Sequence, residues 1–446
     1  MSNNFQFPKG FKFGCATAAY QIEGAVAEDG RTESIWDRFC HTPGHINGGE
    51  TGDVACDHYH RFADDVEMMK EFGLNSYRFS ISWPRVIPGG RGAVNPKGID
   101  FYSRLVDKLL ENGIEPFITL FHWDLPQDLQ DMGGWANRDM VYFFRDYAGE
   151  IGHRLGDRVK YWMTHNEPAV FTALGHLEGV HAPGIRDLRT ALQVAHHLLL
   201  SHGEAVYALR SNRTPETQVG IALSMSPSYP VSDRLEDIEA ARRMEGYGLR
   251  WFCDPLFLGE YPQEMVLGYG LNTPLMEEDD LKIINAPVDF VGINYYFRNW
   301  VQSDSSVDIW KAKNLMPPEA QLTDMGWEVY PQGLYDLLKR VQELYHLPAL
   351  YITESGAAFK DKLEKDGSVH DTQRIHYLES HFDAANRALS EGVPLKGYFI
   401  WSLMDNFEWA FGTSKRFGLL YTDYPTQKRY PKDSAYWYRD FIKSQQ

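Results

Sequence analysis

The sequence predicts an α/β fold, a single (β/α)8 TIM barrel with long βα loops spanning residues 1–446. Three observations lead there. Eight short apolar or β-rich runs recur along the chain, most of them ending in polar or aromatic residues. Helical patterns fill the intervals. No low-complexity linker, fixed-period repeat or abrupt change of composition divides the 446 residues. Strands alternating with helices read as parallel βαβ units, and eight such units close a barrel.

The runs are 13–21, 76–82, 115–124, 161–167, 219–224, 290–296, 350–354 and 396–401. Residues 64–72, reading DDVEMMKEF, carry apolar side chains three apart, and 101–112 and 191–201 show similar helical spacing. The amphipathic stretch 372–391 is closed by Gly392, a helix stop. A doubly wound open sheet is the competing architecture, but its phosphate-binding fingerprint is missing. Gly268 and Gly270 do not complete G-x-G-x-x-G, and no P-loop lysine motif occurs.

With 44 Lys+Arg against 61 Asp+Glu the net charge is −17. That argues against nucleic acid or an anionic membrane as partner, since phosphates would be repelled. A hydrophobic fraction of 43% and a charged fraction of 24% are those of a soluble globular protein. No stretch approaches the roughly 20 apolar residues of a bilayer span, and Met1 to Gly14 lacks the features of a signal peptide. We expect a cytoplasmic protein. Cys15, Cys40, Cys56 and Cys253 form no C-x-x-C pair and are expected to be reduced, packed thiols. Aromatic residues reach 14%, with 12 Trp and 25 Tyr, enough to fill a core and also to build platforms for flat ligand faces.

The active site of such a barrel lies at the C-terminal strand ends. Gln21 stands after the first run, Arg78 to Trp83 after the second, and His122, Trp123 and Asp124 after the third. The fourth ends in Asn166-Glu167-Pro168, the sixth in Asn294-Tyr295-Tyr296 and the seventh in Thr353-Glu354-Ser355-Gly356. The eighth carries Trp401 and leads to Asp405, Glu408 and Trp409. Two carboxylates on different strands, among amides, His and Trp, make a composition suited to cleaving sugars. Glycoside hydrolysis needs one carboxyl to protonate the leaving oxygen and another to attack or to activate water. With 61 acidic residues some will stand at strand ends by chance. Glu354, however, follows the apolar run 350–352, where a carboxylate is costly unless paired or useful.

Thr164-His165-Asn166-Glu167-Pro168 and Ile352-Thr353-Glu354-Ser355-Gly356 resemble the two signature motifs of family 1 glycoside hydrolases, the β-glucosidase family. Residues 13–30, FGCATAAYQIEGAVAEDG, are similar to its N-terminal signature. So are Tyr77-Arg78-Phe79-Ser80, His122-Trp123-Asp124, Gly292-Ile293-Asn294-Tyr295-Tyr296 and 401–418. The likeness is collinear over essentially the whole chain.

The resemblance implies Glu167 as general acid/base and Glu354 as the nucleophile forming a glycosyl-enzyme, with anomeric configuration retained and carboxyls about 5–5.5 Å apart. It implies that Arg78 keeps Glu354 ionised, that Tyr296 hydrogen-bonds it, and that the Glu354 charge helps keep Glu167 protonated. The implied sugar pocket comprises Gln21, His122, Asn166, Asn294, Tyr296, Trp401, Glu408 and Trp409. Asn166 would hold the 2-hydroxyl, Gln21 and Glu408 the 3-, 4- and 6-hydroxyls, and Trp401 would be the stacking floor. Core packing is the alternative use of Trp401 and Trp409. Trp327 is the expected platform on the leaving-group side.

The implied activity is that of an exo-acting retaining β-glucosidase on cellobiose, cello-oligosaccharides and aryl β-glucosides, with β-galactosides an open extension. No cofactor is expected, since two carboxyls and water suffice. The partner is a small-molecule β-glycoside, and the sequence leaves a homo-oligomer open. Three residues depart from the family pattern: Ser355 beside the nucleophile, Ala169 where an aromatic is frequent, and Lys415, which also occurs in the 6-phospho-β-glucosidase branch. Ala169 predicts a wider leaving-group site. Against the phospho-sugar alternative stand Glu408, which would repel a 6-phosphate, and Phe417 in place of Tyr. A barrel that only binds glycosides is the other rival, disfavoured because both carboxyls are present. His196, His197 and His202, like His58 and His60, lack metal-site spacing and read as satisfied helix histidines. Asn212-Arg213-Thr214 reads as a chance glycosylation match.

Overall fold

The computed structural model describes residues 5–211, 214, 216–307 and 309–445. Each of the eight runs contains one barrel strand: β1 (Lys12–Ala16), β2 (Ser76–Ser80), β3 (Glu115–Phe121), β4 (Tyr161–Asn166), β5 (Gln218–Ser224), β6 (Phe290–Asn294), β7 (Leu350–Ser355) and β8 (Leu395–Trp401). They pair in parallel, in sequence order, and the ring closes where Cys15 of β1 is flanked by Tyr77 of β2 and Ile400 of β8. Near-complete burial of these strands on both faces is why they read as continuous apolar runs and not as alternating ones. The four helical patterns lie in helices His58–Glu71, Pro96–Glu111, Leu188–Ser211 and Thr372–Ser390.

Several strands stop short of the apolar run that marks them. The first ends at Ala16, and Ala19–Ile22 forms a helical turn whose Ala19 N–H donates to Ser80 Oγ at 2.7 Å. The third ends at Phe121, and Trp123 follows with φ +80°, incompatible with a continued ladder. The loops beyond both ends are themselves buried, so apolar composition outlasts the strand.

Inside the barrel Phe117, Phe290, Tyr351 and Phe399 form an aromatic plug with Tyr161. Phe117 stacks on Tyr161 at 4.0 Å and meets Phe399 at 4.8 Å. Gly14 makes room for it, since a Cβ there would lie 2.6 Å from the Phe399 ring. Around the barrel Trp83, Trp135 and Trp162 are fully buried against the helices. Long loops add a three-stranded sheet of Ser228–Pro230, Asn299–Ser303 and Ala312–Leu315, and a hairpin of Leu420–Asp423 with Lys428–Pro431.

All four cysteines are buried and free. Among the described residues no helix is long and apolar enough to cross a membrane, and no group of three His, Cys, Asp or Glu could hold a metal ion. His196 bonds Asp280 at 2.9 Å and Tyr261 at 3.0 Å, His197 bonds the Trp135 carbonyl, and His202 bonds Thr164. His58 bonds Asp65, and His60 bonds Asp57 and Glu28. Asn212 and Arg213 lie outside the described residues.

Candidate active site

A cavity of about 490 Å³ opens over the C-terminal strand ends. Glu354 near the end of β7 and Glu167 just beyond β4 both line it. Glu167 sits with φ +46°, where β4 turns into the helix Pro168–Thr172, and its N–H donates to the Ala222 carbonyl at 2.8 Å. The turn ends the ladder and commits the side chain to the cavity.

Arg78 of β2 organises the floor. Its Nη1 donates to Glu354 Oε1 at 2.6 Å, its Nη2 to Asn166 Oδ1 at 2.6 Å and its Nε to Thr119 Oγ1 at 3.1 Å. The guanidinium is buried, so its charge is screened little by water. Tyr296 donates its hydroxyl to Glu354 Oε2 at 2.7 Å. Asn294, oriented by Thr353 Oγ1 at 2.6 Å, donates to both Glu167 Oε1 and Asn166 Oδ1 at 3.0 Å. One chain of hydrogen bonds thus links both carboxyls.

Burial, and then the negative Glu354, pushes Glu167 up to about 8, against the Asn294 amide and Arg78. Burial raises Glu354 as well, but Arg78 and Tyr296 oppose it there by direct contact. The one side-chain donor on Glu167 is an uncharged amide. A proton shared by the pair therefore resides on Glu167, while Glu354 carries the charge. Burial and Arg78 hold His122 well below its ordinary value, so it is a neutral imidazole.

His122, Trp401, Glu408 and Trp409 line the same cavity, and Gln21 is buried beside the loop that carries Glu408. Gln21 Nε2 donates to Asn406 Oδ1 at 3.1 Å and to the Phe407 carbonyl at 2.9 Å. His122 Nε2 pairs with the Asn166 amide at 3.0 Å. Three atoms here, Gln21 Oε1, His122 Nδ1 and Glu408 Oε2, are buried without a hydrogen-bond partner. Such groups cost free energy unless something polar meets them, which a ligand rich in hydroxyls does. Burial and then Glu354 raise Glu408 to about 8, opposed by a hydrogen bond with Trp401. Trp401 lines the cavity. Trp409 also lines it while packing on Trp36 at 4.4 Å and Trp123 at 4.7 Å, so it serves core and pocket together.

Farther out, Ala169 and Trp327 line the same cavity, with Trp327 packed on Tyr296 at 5.3 Å and Phe297 at 5.2 Å. Ser355 lies deeper, beside the Tyr377 hydroxyl at 3.2 Å. Lys415 is held by the Asp324 carbonyl at 2.6 Å and carboxylate at 3.1 Å, and Phe417 is buried. Of the residues singled out in the sequence, His122, Glu167, Ala169, Tyr296, Trp327, Glu354, Trp401, Glu408, Trp409 and Phe417 line the cavity, Arg78, Asn166 and Asn294 are hydrogen-bonded to the two carboxyls or to each other, Gln21 is buried beside Phe407, and Asp124 and Asp405 are buried outside the lining. The sequence reading missed Thr119 and Thr353, which orient Arg78 and Asn294, and Glu178, His181 and Tyr247, which line the mouth. Glu178 and His181 belong to irregular segments, and Tyr247 to a π turn, Gly246–Arg250, so the ordinary helical period does not mark which of these side chains face inward.

A barrel whose strand ends gather two buried carboxyls in unlike electrostatic surroundings, beside buried polar atoms left without a hydrogen-bond partner, has the make-up of a glycosidase. The description "Glycosyl hydrolase family 1" matches residues 3–446, and the chain belongs to that family. It is 53% identical over 444 residues to β-glucosidase A of Acetivibrio thermocellus, covering 98% of each chain, and 49% identical over 441 residues to β-glucosidase A of Thermotoga maritima, again 98% of each. Among solved structures, the family 1 β-glucosidase of T. maritima superposes with a TM-score of 0.97 at 48% identity over 99% of both chains. The same enzyme in complex with glucoimidazole gives 0.96 at 49%, also over 99% of each.

Proposed function

We propose that Glu354 is the nucleophile and Glu167 the general acid/base of an exo-acting retaining β-glucosidase, carried by one (β/α)8 domain spanning residues 1–446. The chain hydrolyses terminal β-D-glucosyl residues by double displacement. The observation that carries the role assignment is the asymmetry of the two carboxyls: Arg78 and Tyr296 donate hydrogen bonds to Glu354, whereas among the described residues the side-chain donor to Glu167 is the uncharged Asn294 amide.

In the first step a Glu354 oxygen attacks the anomeric carbon while Glu167 gives its proton to the leaving oxygen, and the aglycone departs. Consuming the Glu354 charge removes part of what raises Glu167. Glu167 then takes a proton from water, whose oxygen attacks the anomeric carbon and releases Glu354. Gln21 and Glu408 hold the 3-, 4- and 6-hydroxyls, Asn166 with His122 serves the 2-hydroxyl side, Trp401 stacks beneath the ring, and Trp327 receives the aglycone. Cellobiose, short cello-oligosaccharides and aryl β-glucosides fit this plan. Relatives named β-glucosidase and 1,4-β-D-glucan glucohydrolase support it, the latter from Thermotoga neapolitana at 49% identity. Four free buried thiols favour a reducing, cytoplasmic compartment and a role in breaking down cellulose-derived sugars inside the cell.

The test is turnover of p-nitrophenyl β-D-glucoside by the purified protein and by Glu354→Gln, with product anomers followed by NMR. Wild-type turnover with the β-anomer formed first, lost in the variant, is expected. Full activity in Glu354→Gln, or an α-anomer first, overturns the assignment.

A further inference from the structure

We infer that Asp405 is a positioning residue for sugar binding, clasping the neck of the loop that carries Glu408, Trp409 and Phe417. The inference rests on the grip of Glu408 on the sugar given above. Asp405 and Gly418 bracket this loop. Asp405 Oδ1 accepts the Gly418 N–H at 2.9 Å, so one carboxylate ties the loop's two ends together. The approach is close: a Cβ on Gly418 would lie 2.0 Å from the Asp405 nitrogen.

The carboxylate is itself held by two cations, the buried Lys432 and the partly buried Arg416. Lys432 Nζ donates to Asp405 Oδ1 at 2.7 Å and to Asp361 Oδ2 at 2.5 Å, and Arg416 Nη1 donates to Asp405 Oδ2 at 2.7 Å. Arg374 Nη2 joins Asp361 at 2.8 Å and the Arg416 carbonyl at 2.7 Å, and its Nη1 meets Asp371. Three acids and three bases balance, and the side chains of Asp405 and Lys432 are wholly buried. Asp361 and Asp371 lie on the segment that follows the nucleophile strand β7, and Asp405 lies on the one that follows β8. The cluster therefore fixes the sugar-gripping loop relative to the strand that bears Glu354. Neither Asp405 nor Lys432 lines the cavity, so both act through the loop.

A buried ion cluster also serves folding, so the test needs a readout that a purely structural role would not move. Wild type, Asp405→Asn, Arg416→Gln and Glu408→Gln would be compared on p-nitrophenyl β-D-glucoside and its 6-deoxy analogue, with thermal unfolding recorded for each. If Asp405 acts by placing Glu408, Asp405→Asn lowers kcat/KM on the glucoside about 10–100-fold, mainly through KM, and the penalty on the 6-deoxy compound is at least about fivefold smaller. Glu408→Gln shows the same discrimination. Arg416→Gln removes a half-buried arm of the clasp and carries the test if Asp405→Asn does not fold. Discrimination in Glu408→Gln, with equal penalties on both substrates in the clasp variants, overturns the clasp and leaves the Glu408 grip standing. No discrimination in Glu408→Gln overturns the grip, and the positioning role with it.

Discussion

Arg78 and Glu354 meet at 2.6 Å with both side chains almost entirely out of water. The same guanidinium grips Asn166, the neighbour of Glu167, so one cation serves the strands of both proposed reacting carboxyls. Removing one partner of a buried ion pair leaves an uncompensated charge. We expect Arg78→Met to raise Glu354 further above its ordinary range. Since Glu354 must be ionised to attack, the acidic limb of the kcat/KM profile should move to higher pH and kcat fall by about 100-fold or more. An unmoved acidic limb would count against Arg78 as the group that keeps the nucleophile charged.

As the proposed general acid, Glu167 would act when protonated, and burial with the neighbouring Glu354 raises it to about 8. Activity should therefore be present below that pH and decline as the pH rises through it. Glu167→Gln should lose this basic limb. It should retain glycosylation by 2,4-dinitrophenyl glucoside, whose leaving group needs no proton, while losing about 10²–10⁴-fold on alkyl glucosides. Equal losses on both substrates would refute the acid role.

Ala169 lines the cavity with a small side chain, on what we propose is the leaving-group side. Ala169→Trp should lower kcat/KM for bulky aryl aglycones relative to methyl β-glucoside by about tenfold, with kcat for the smaller substrate little changed. An unchanged ratio in steady-state kinetics would show that this position does not set the width of the site.

Lys415 is already paired with the Asp324 carbonyl and carboxylate, so it is not presented to a 6-phosphate. Side-by-side rates on p-nitrophenyl β-glucoside and its 6-phosphate should show turnover of the first alone. Lys415→Met should leave the glucoside rate within about threefold, because neither Lys415 nor Asp324 lines the cavity. Turnover of the phosphate alone would reverse the assignment.

The aromatic plug should dominate the stability of the barrel. Phe117→Ala, which removes a ring packed on Tyr161 and Phe399, should cost about 3–5 kcal/mol in denaturant unfolding.

Much of this was legible in the residues. Most barrel strands announced themselves because, buried on both faces, they are rich in apolar and β-forming residues, with polar ones gathered toward the strand ends. Glu167 and Glu354 stood out because each is a carboxylate at the end of such a run, and their motifs narrowed the chemistry further. The strand ends were less legible: the segment after Ala16 is as apolar as the strand before it, and only the hydrogen bond from Ala19 to Ser80 shows where the ladder stops. Lys432 was not legible at all. Its partners Asp361 and Asp405 are ordinary surface-type residues in sequence, and only loop closure around the barrel brings them together in a dry place.

The plug of Phe117, Phe290, Tyr351 and Phe399 has a bearing on timing. It fills the barrel beneath Glu167 and Glu354, so a sugar enters over the C-terminal strand ends, through a doorway whose lining includes Trp327. Traffic through that doorway is then last in, first out. The aglycone vacates the doorway before water reaches the glycosyl-enzyme, and the sugar held deepest leaves at the end. Any alcohol that lingers in the doorway competes with water for the sugar, so the blind end of the barrel inclines the enzyme toward glycosyl transfer when acceptors are crowded outside.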